Sequence, residues 1–279
     1  MTDQTSTWFI TGAGRGLGRA ITEAALDAGH RVVATTRSAH DLPEHPRLTV
    51  LTLDVRDRAA CREAIAAALA LTGRLDVLVN NAGYGLIGAI EEASESDVRE
   101  LIDTDLLGAL WLTQAAVEAM REQRSGHVVQ ISTVGAVGTM PTLGVYNAAK
   151  WALEGFSEAL AGEVAEFGIR VTIVEPGGLD TAWATSSMRF AEPNAAYDGL
   201  RERLFGSVEV PWPVEGEATG GGTPTADAAD AILEHVADSA DERLRLLIGD
   251  DAPGQVAAAL GLRLDDYRRD PRFVAASQE

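Results

Sequence analysis

Apolar positions recur along this chain in two rhythms. Short, nearly uninterrupted apolar runs predict strands at Trp8–Thr11, Arg31–Thr35, Thr49–Leu53, Val77–Asn80, Val128–Ile131, Val171–Val174 and Leu244–Ile248. Between them, Ala-rich amphipathic stretches predict helices at Leu17–Ala28, Ala59–Leu71, Asp97–Gln123, Tyr146–Phe167 and Ala226–Asp238. Most of the strands are rich in Val, Ile and Leu without polar alternation, as expected where helices cover both faces of a sheet. Strand and helix alternate as in a parallel sheet with crossover helices. Ser94, with Asp97 three residues on, is a helix start signal, and Gly29, Gly73 and Gly168 are stop signals.

The rhythm stops at residues 182–225, which hold Trp183, Met188, Phe190, Tyr197, Phe205 and Trp212 and then three consecutive glycines from Gly220. An irregular insertion of this length with so many aromatics is expected to be a lid over a functional site. The rest reads as one domain over residues 1–279, with a carboxyl-terminal extension at 253–279.

Composition narrows the function. Forty-two acidic residues against 23 basic ones give a net charge of −19, which disfavours nucleic acid and anionic membrane surfaces as partners. No apolar run is long enough to span a bilayer, and the first residues lack the layout of a secretory leader, so cytoplasm is the expected location. Cys61 is the only cysteine, and no histidine pair has metal-binding spacing, so no metal site is expected. Of the 23 basic residues one is a lysine, Lys150. Arginine serves most surface roles but does not replace a compact, tunable ammonium, so this position is expected to need one.

The first predicted strand runs into Thr11-Gly12-Ala13-Gly14-Arg15-Gly16-Leu17-Gly18, where a helix begins. Glycines in such a turn let backbone amides approach a pyrophosphate at the positive end of the helix. After the second strand, Arg37 stands near the place where an acid would bind a ribose hydroxyl, so Arg37 and Arg15 favour the 2′-phosphate of NADP(H) over NAD(H). Asp54-Val55 after the third strand and Asn81-Ala82-Gly83 after the fourth line the same end of the sheet. Tyr146 and Lys150, four residues apart, share a helix face. A tyrosine near pKa ~10 is a poor acid or base at neutral pH. A neighbouring ammonium and a positive nicotinamide would stabilise tyrosinate and let the residue exchange a proton with an alcohol oxygen.

Taken together and in order, T-G-x-x-x-G-x-G at Thr11–Gly18, N-N-A-G at Asn80–Gly83, Y-x-x-x-K at Tyr146–Lys150 and P-G at Pro176-Gly177 resemble the single-domain short-chain dehydrogenases/reductases over roughly residues 5 to 250. The resemblance implies a Rossmann-like, doubly wound α/β fold with a parallel sheet of about seven strands. It also implies a nicotinamide cofactor, with Tyr146 as general acid/base and Lys150 as ribose anchor. Gly12, Gly16, Leu17 and Gly18 would line the cofactor, and Pro176, Gly177, Leu179 and Thr181 would contact its nicotinamide end. It further implies a homodimer or homotetramer.

Two positions depart from the family's pattern. The active-site serine is replaced by Thr133, thirteen residues before Tyr146, with Ser132 beside it as the fallback hydroxyl. The central-helix asparagine is replaced by Asp105, which keeps the backbone carbonyl of the family's proton relay but puts a carboxylate near Lys150. That carboxylate would pair with the ammonium, be protonated, or bond to helix backbone. Met140, Leu143, Trp183 and Met188 suggest a bulky apolar small-molecule substrate. The expected activity is NADP(H)-dependent interconversion of a secondary alcohol and a carbonyl. The alternatives are a non-redox epimerase, dehydratase or cyclase on the same residues, and an NADP(H)-binding regulatory module.

Overall fold

The computed structural model describes residues 5–38, 41–180, 188–210, 222–270 and 272–273. Its strands are β1 (Thr7–Ile10), β2 (Arg31–Thr36), β3 (Leu48–Thr52), β4 (Val77–Asn80), β5 (Gly85–Ile87), β6 (Gly126–Ile131), β7 (Ile169–Pro176), β8 (Leu179–Asp180), β9 (Met188–Phe190), β10 (Thr223–Pro224) and β11 (Arg245–Ile248). The helices are α1 (Gly16–Asp27), α2 (Arg58–Thr72), α3 (Glu95–Ile102), α4 (Gly108–Gln123), α5 (Gly144–Val164), α6 (Asp198–Phe205), α7 (Thr225–Ala237) and α8 (Ala252–Tyr267).

Seven strands pair in parallel in the order β3-β2-β1-β4-β6-β7-β11. The order runs outward in both directions from the β1/β4 boundary, which is the doubly wound arrangement. It opens a crevice at the carboxyl ends of those two strands. Successive residues of each strand feed opposite faces. Trp8 and Ile10, Val32 and Ala34, and Val77 and Val79 pack under α1 and α7, whereas Phe9, Val33, Leu78 and Val128 pack under α2, α4 and α5. Both faces are therefore apolar, which is why the strands read without polar alternation. Burying each large side chain stabilises the fold by about 1.5–3 kcal/mol.

Local signals operate as read. Ser94 and Asp97 form a reciprocal capping box at α3. Gly73 and Gly168 take left-handed conformations (φ 78° and 70°) at helix ends, which glycine adopts without a steric penalty. The helix expected over Asp97–Gln123 is interrupted: residues Asp103–Leu107 form one π-helical turn between α3 and α4. Such a turn adds a residue to the helix and re-aims the side chains around it. The carboxyl-terminal extension contains α8, whose apolar positions lack a clear period.

Within residues 182–225, the described part is a docked unit. β9 pairs in parallel with β5, with Met188 opposite Gly85, and α6 follows. Arg201 on α6 is buried and pairs with buried Glu92 at 2.6 Å, while Glu92 also accepts the Asn194 and Ala89 N–H groups at 2.7 Å. Removing one partner of a buried pair strands the other charge, at about 3–5 kcal/mol. Arg201→Met should therefore lose hydrogen-exchange protection selectively across 188–205 while β1, β4 and β6 stay protected; unchanged protection there would show that the pair does not hold this unit.

Candidate active site

The turns after β1 and β4 meet at the crevice, joined by Thr11. Its hydroxyl accepts the N–H groups of Asn81 and Ala82, both at 3.0 Å, and donates to Val79 O at 3.3 Å. The Asn81 amide returns two bonds, to Thr11 O at 2.9 Å and Gly12 O at 3.2 Å. The packing leaves no room for larger residues. Gly12 has φ 64°, and a Cβ on it would stand 2.9 Å from Ala82 Cα. A Cβ on Gly18 would strike Asn81 Nδ2 and Gly12 O. No side chain caps the start of α1 and no acid lies in its first turn, so the helix presents its positive end there. The cradle fits a dinucleotide pyrophosphate: backbone approaches closely, the helix N-terminus carries no side-chain cap, and no acid lies in its first turn.

Around this cradle, Leu17 is buried in the core, whereas Arg15 and Arg37 are exposed at its rim. Asp54 is bound by Arg56 with contacts of 2.6–3.1 Å, and these bonds hold its carboxyl below the usual range. Val55 packs beneath Gly108, where a Cβ would stand 2.7 Å from Val55 Cγ2. At the other end, Pro176 closes β7, Gly177 donates to Ile248 O at 2.9 Å, and Leu179 pairs with Thr223 on β10. Thr181 and Trp183 lie outside the described residues.

The chemical centre sits where α5 crosses the ends of β4 and β6. Tyr146 and Lys150 are both buried, with the ammonium 5.9 Å from the phenol ring centroid. Lys150 Nζ donates to Ile131 O at 3.1 Å and lies 3.4 Å from Asp105 Oδ2 in an ion pair. The other oxygen of Asp105 accepts the Tyr84 N–H at 3.1 Å. Gly83 lies directly over this pair, and a Cβ there would stand 2.7 Å from Asp105 Oδ2. The Thr133 hydroxyl stands beside the Tyr146 phenol and favours its ionised form, and it accepts the Gly135 N–H at 3.1 Å. Ser132 donates instead to the buried Glu154 at 2.6 Å, so the structure separates the two neighbouring hydroxyls. Leu143 packs beside Tyr146, Met188 is buried, and Met140 is exposed.

The model of the short chain dehydrogenase family matches residues 6–191. The chain belongs to the short-chain dehydrogenases/reductases. It is 36% identical to an oxidoreductase, BOA17, of Botryotinia fuckeliana, over 95% of this chain and 97% of that one. A 3-ketodihydrosphingosine reductase of Bacteroides thetaiotaomicron is 34% identical over 72% of this chain and 74% of its own length. The crystal structure of a short-chain dehydrogenase from Streptomyces avermitilis superposes with a TM-score of 0.84 at 36% identity, covering 95% of this chain and 97% of that one. This short-chain dehydrogenase/reductase is thus an oxidoreductase that takes a nicotinamide cofactor.

In this short-chain dehydrogenase, three contributors were not singled out from sequence. Thr11 ties the two turns together. Tyr84 anchors Asp105 through its backbone. Asp251 accepts the Gly178 N–H at 3.0 Å and crowds Gly177. Only Thr11 left a signal, as the first letter of the turn motif.

Of the three states open to Asp105, the structure shows the paired one. Burial raises its acid pKa, and the Lys150 ammonium opposes that rise. Burial also raises the Tyr146 phenol, the Asp105 charge raises it further, and the Thr133 hydroxyl beside it works against both. Among the protein's own groups the balance is therefore upward, where Lys150 was expected to bring it down. Asp105 turns part of the lysine's field away from the phenol. Asp105→Asn should move the Tyr146 limb of the pH–rate profile to lower pH; an unmoved limb would show that the carboxylate is not coupled to the phenol.

Proposed function

We propose that this enzyme interconverts a secondary alcohol and a ketone or aldehyde on a bulky apolar small molecule, with NADP(H) as the preferred cofactor. The observation that carries this reading is the buried Tyr146 phenol, beside the Thr133 hydroxyl and set one helical turn from the chain's only lysine. Gly12, Gly16, Gly18, Asn81, Ala82, Gly83, Pro176 and Gly177 would hold the dinucleotide, with Arg15 and Arg37 at its 2′-phosphate. When bound, the nicotinamide supplies hydride to the carbonyl carbon, or takes it back.

The protein's own groups handle the oxygen. Thr133 orients it by hydrogen bonding, and Tyr146 donates its phenolic proton to the oxygen as the alcohol forms. In the reverse direction Tyr146 removes that proton. Lys150, bonded to Ile131 O, supplies a fixed positive charge at the floor of the site. Leu143 beside Tyr146, buried Met188 and the docked unit over 188–205 support an apolar substrate. So does the name of one relative, a reductase of a 3-keto compound.

Two substitutions test separate parts. Thr133→Val should cut turnover by about 10²–10³-fold, the usual effect of losing one oxygen-stabilising donor; full activity would remove Thr133 from the mechanism. Arg37→Ala should weaken NADPH binding by roughly ten-fold or more, in line with one charged hydrogen bond, and spare NADH. Equal losses, or none, would overturn the cofactor preference.

A further inference from the structure

Behind the catalytic residues lies a second polar cluster that the reaction does not consume. Glu154 stands one turn beyond Lys150 on α5 and is buried. The Ser132 hydroxyl donates to its Oε1 at 2.6 Å, and the Ser132 backbone N–H donates to Val174 O on β7 at 2.8 Å. The residue after Val174 is Glu175, also buried. Arg245 on β11 reaches both acids: its Nε is 3.1 Å from Glu175 Oε1 and 3.8 Å from Glu154 Oε2. It also pairs with the exposed Glu158, one turn further along α5, at 3.0 Å.

One partly exposed guanidinium therefore faces three carboxylates, two of them out of water. Glu154 meets Ser132 from β6, Glu175 from β7, Arg245 from β11 and Glu158 from its own helix; Lys150, one turn back, is turned to Asp105. The cluster borders both working turns. Ser132 is followed by Thr133, and Glu175 by Pro176-Gly177.

We propose that Glu154 is a positioning residue: by accepting the Ser132 hydroxyl it clamps the end of β6 against α5 and so fixes the Thr133 hydroxyl beside Tyr146. A short bond from a buried hydroxyl to a carboxylate is directional and stiff, and it ties the Thr133 turn to α5, whereas the Gly135 N–H bond to Thr133 Oγ1 at 3.1 Å and the Ala136 N–H bond to Thr133 O at 2.9 Å hold that turn only to itself. The charge on the clamp depends on its partners. Burial, and the charge of Glu154, push the Glu175 carboxyl up to about 7. Burial raises Glu154 too, against the Ser132 bond and Arg245. As pH falls through about 7 the proton goes to Glu175, which leaves Arg245 to Glu154 and keeps the clamp charged.

This proposal rests on Thr133 and Tyr146 acting on the substrate oxygen. The test uses the full chain with NADPH and α-tetralone, a bulky apolar ketone. Ser132→Ala should lower kcat about ten-fold with little change in KM for NADPH, and Glu154→Leu should do the same. The double variant should be no worse than either, since both remove one bond. Glu154→Gln keeps an acceptor without a titrating charge. It should restore most of kcat.

A wild-type kcat in Ser132→Ala, or a Glu154→Gln variant no better than Glu154→Leu, would overturn the proposal. Tyr146→Phe separates the two levels. If it retains turnover, the reading of the reaction falls and the proposal falls with it. If it is inactive while the Ser132 and Glu154 variants match wild type, only the positioning role falls. An infrared titration of the carboxyl stretch needs no substrate. It should show a protonated carboxyl surviving to about pH 7 that disappears in Glu175→Gln; a band that persists in that variant would put the proton on Glu154 and contradict the charged clamp.

Discussion

Burying an ammonium costs several kcal/mol unless charge and hydrogen bonds meet it, and the site is arranged around that requirement at Lys150. Its Nζ donates one bond to the carbonyl at the end of β6 and forms one ion pair with the π-helical turn ahead of α4. The π turn re-aims Asp105 toward α5, the Tyr84 N–H holds the far oxygen of that carboxylate, and only glycine fits at position 83 above it. β4, β6, α5 and the α3–α4 junction are thus tied at one point, and Tyr146 stands one turn from it. Charge geometry and reaction geometry are the same object here. A change to the ammonium's partners changes the field at the Tyr146 phenol.

The pairing has a consequence for the chemistry. A lysine that shares its field with a carboxylate stabilises tyrosinate less than a lysine alone, so in the proposed mechanism more of that stabilisation would fall to the Thr133 hydroxyl and to a bound positive nicotinamide. Thr133 then needs secure placement. The Ser132–Glu154 bond lies directly behind it, on the same helix that carries Tyr146 and Lys150. One helix therefore presents the acid, the ammonium and the clamp on successive turns.

Much of the fold was legible because its signals are local or strictly periodic. Strand positions followed from apolar runs, and the seven-stranded parallel sheet from their alternation with helices. The turn at Gly12–Gly18 and the pair Tyr146/Lys150 were legible because each depends on short spacing. What could not be read depends on contacts between distant segments. Nothing in residues 97–123 marks a π turn, since it arises where α3 and α4 must both pack while Asp105 faces Lys150. Ser132 and Thr133 are adjacent and chemically alike, and only α5 shows that one faces Glu154 and the other Tyr146. Asp251 reaches Gly178 across more than seventy residues. Helix α8 carries too little apolar periodicity to announce itself, and most of it is exposed.

The most direct test of the central claim is hydride tracing. The full-length protein would be incubated with NADPH deuterated at the transferable nicotinamide position and a series of bulky ketones, beside Tyr146→Phe, with products read by mass spectrometry. The account predicts an alcohol carrying one deuterium on the carbinol carbon, absent or strongly reduced with the variant. A Tyr146-dependent product without deuterium would contradict the redox role, and labelled product formed equally by Tyr146→Phe would contradict the acid on which the mechanism is built.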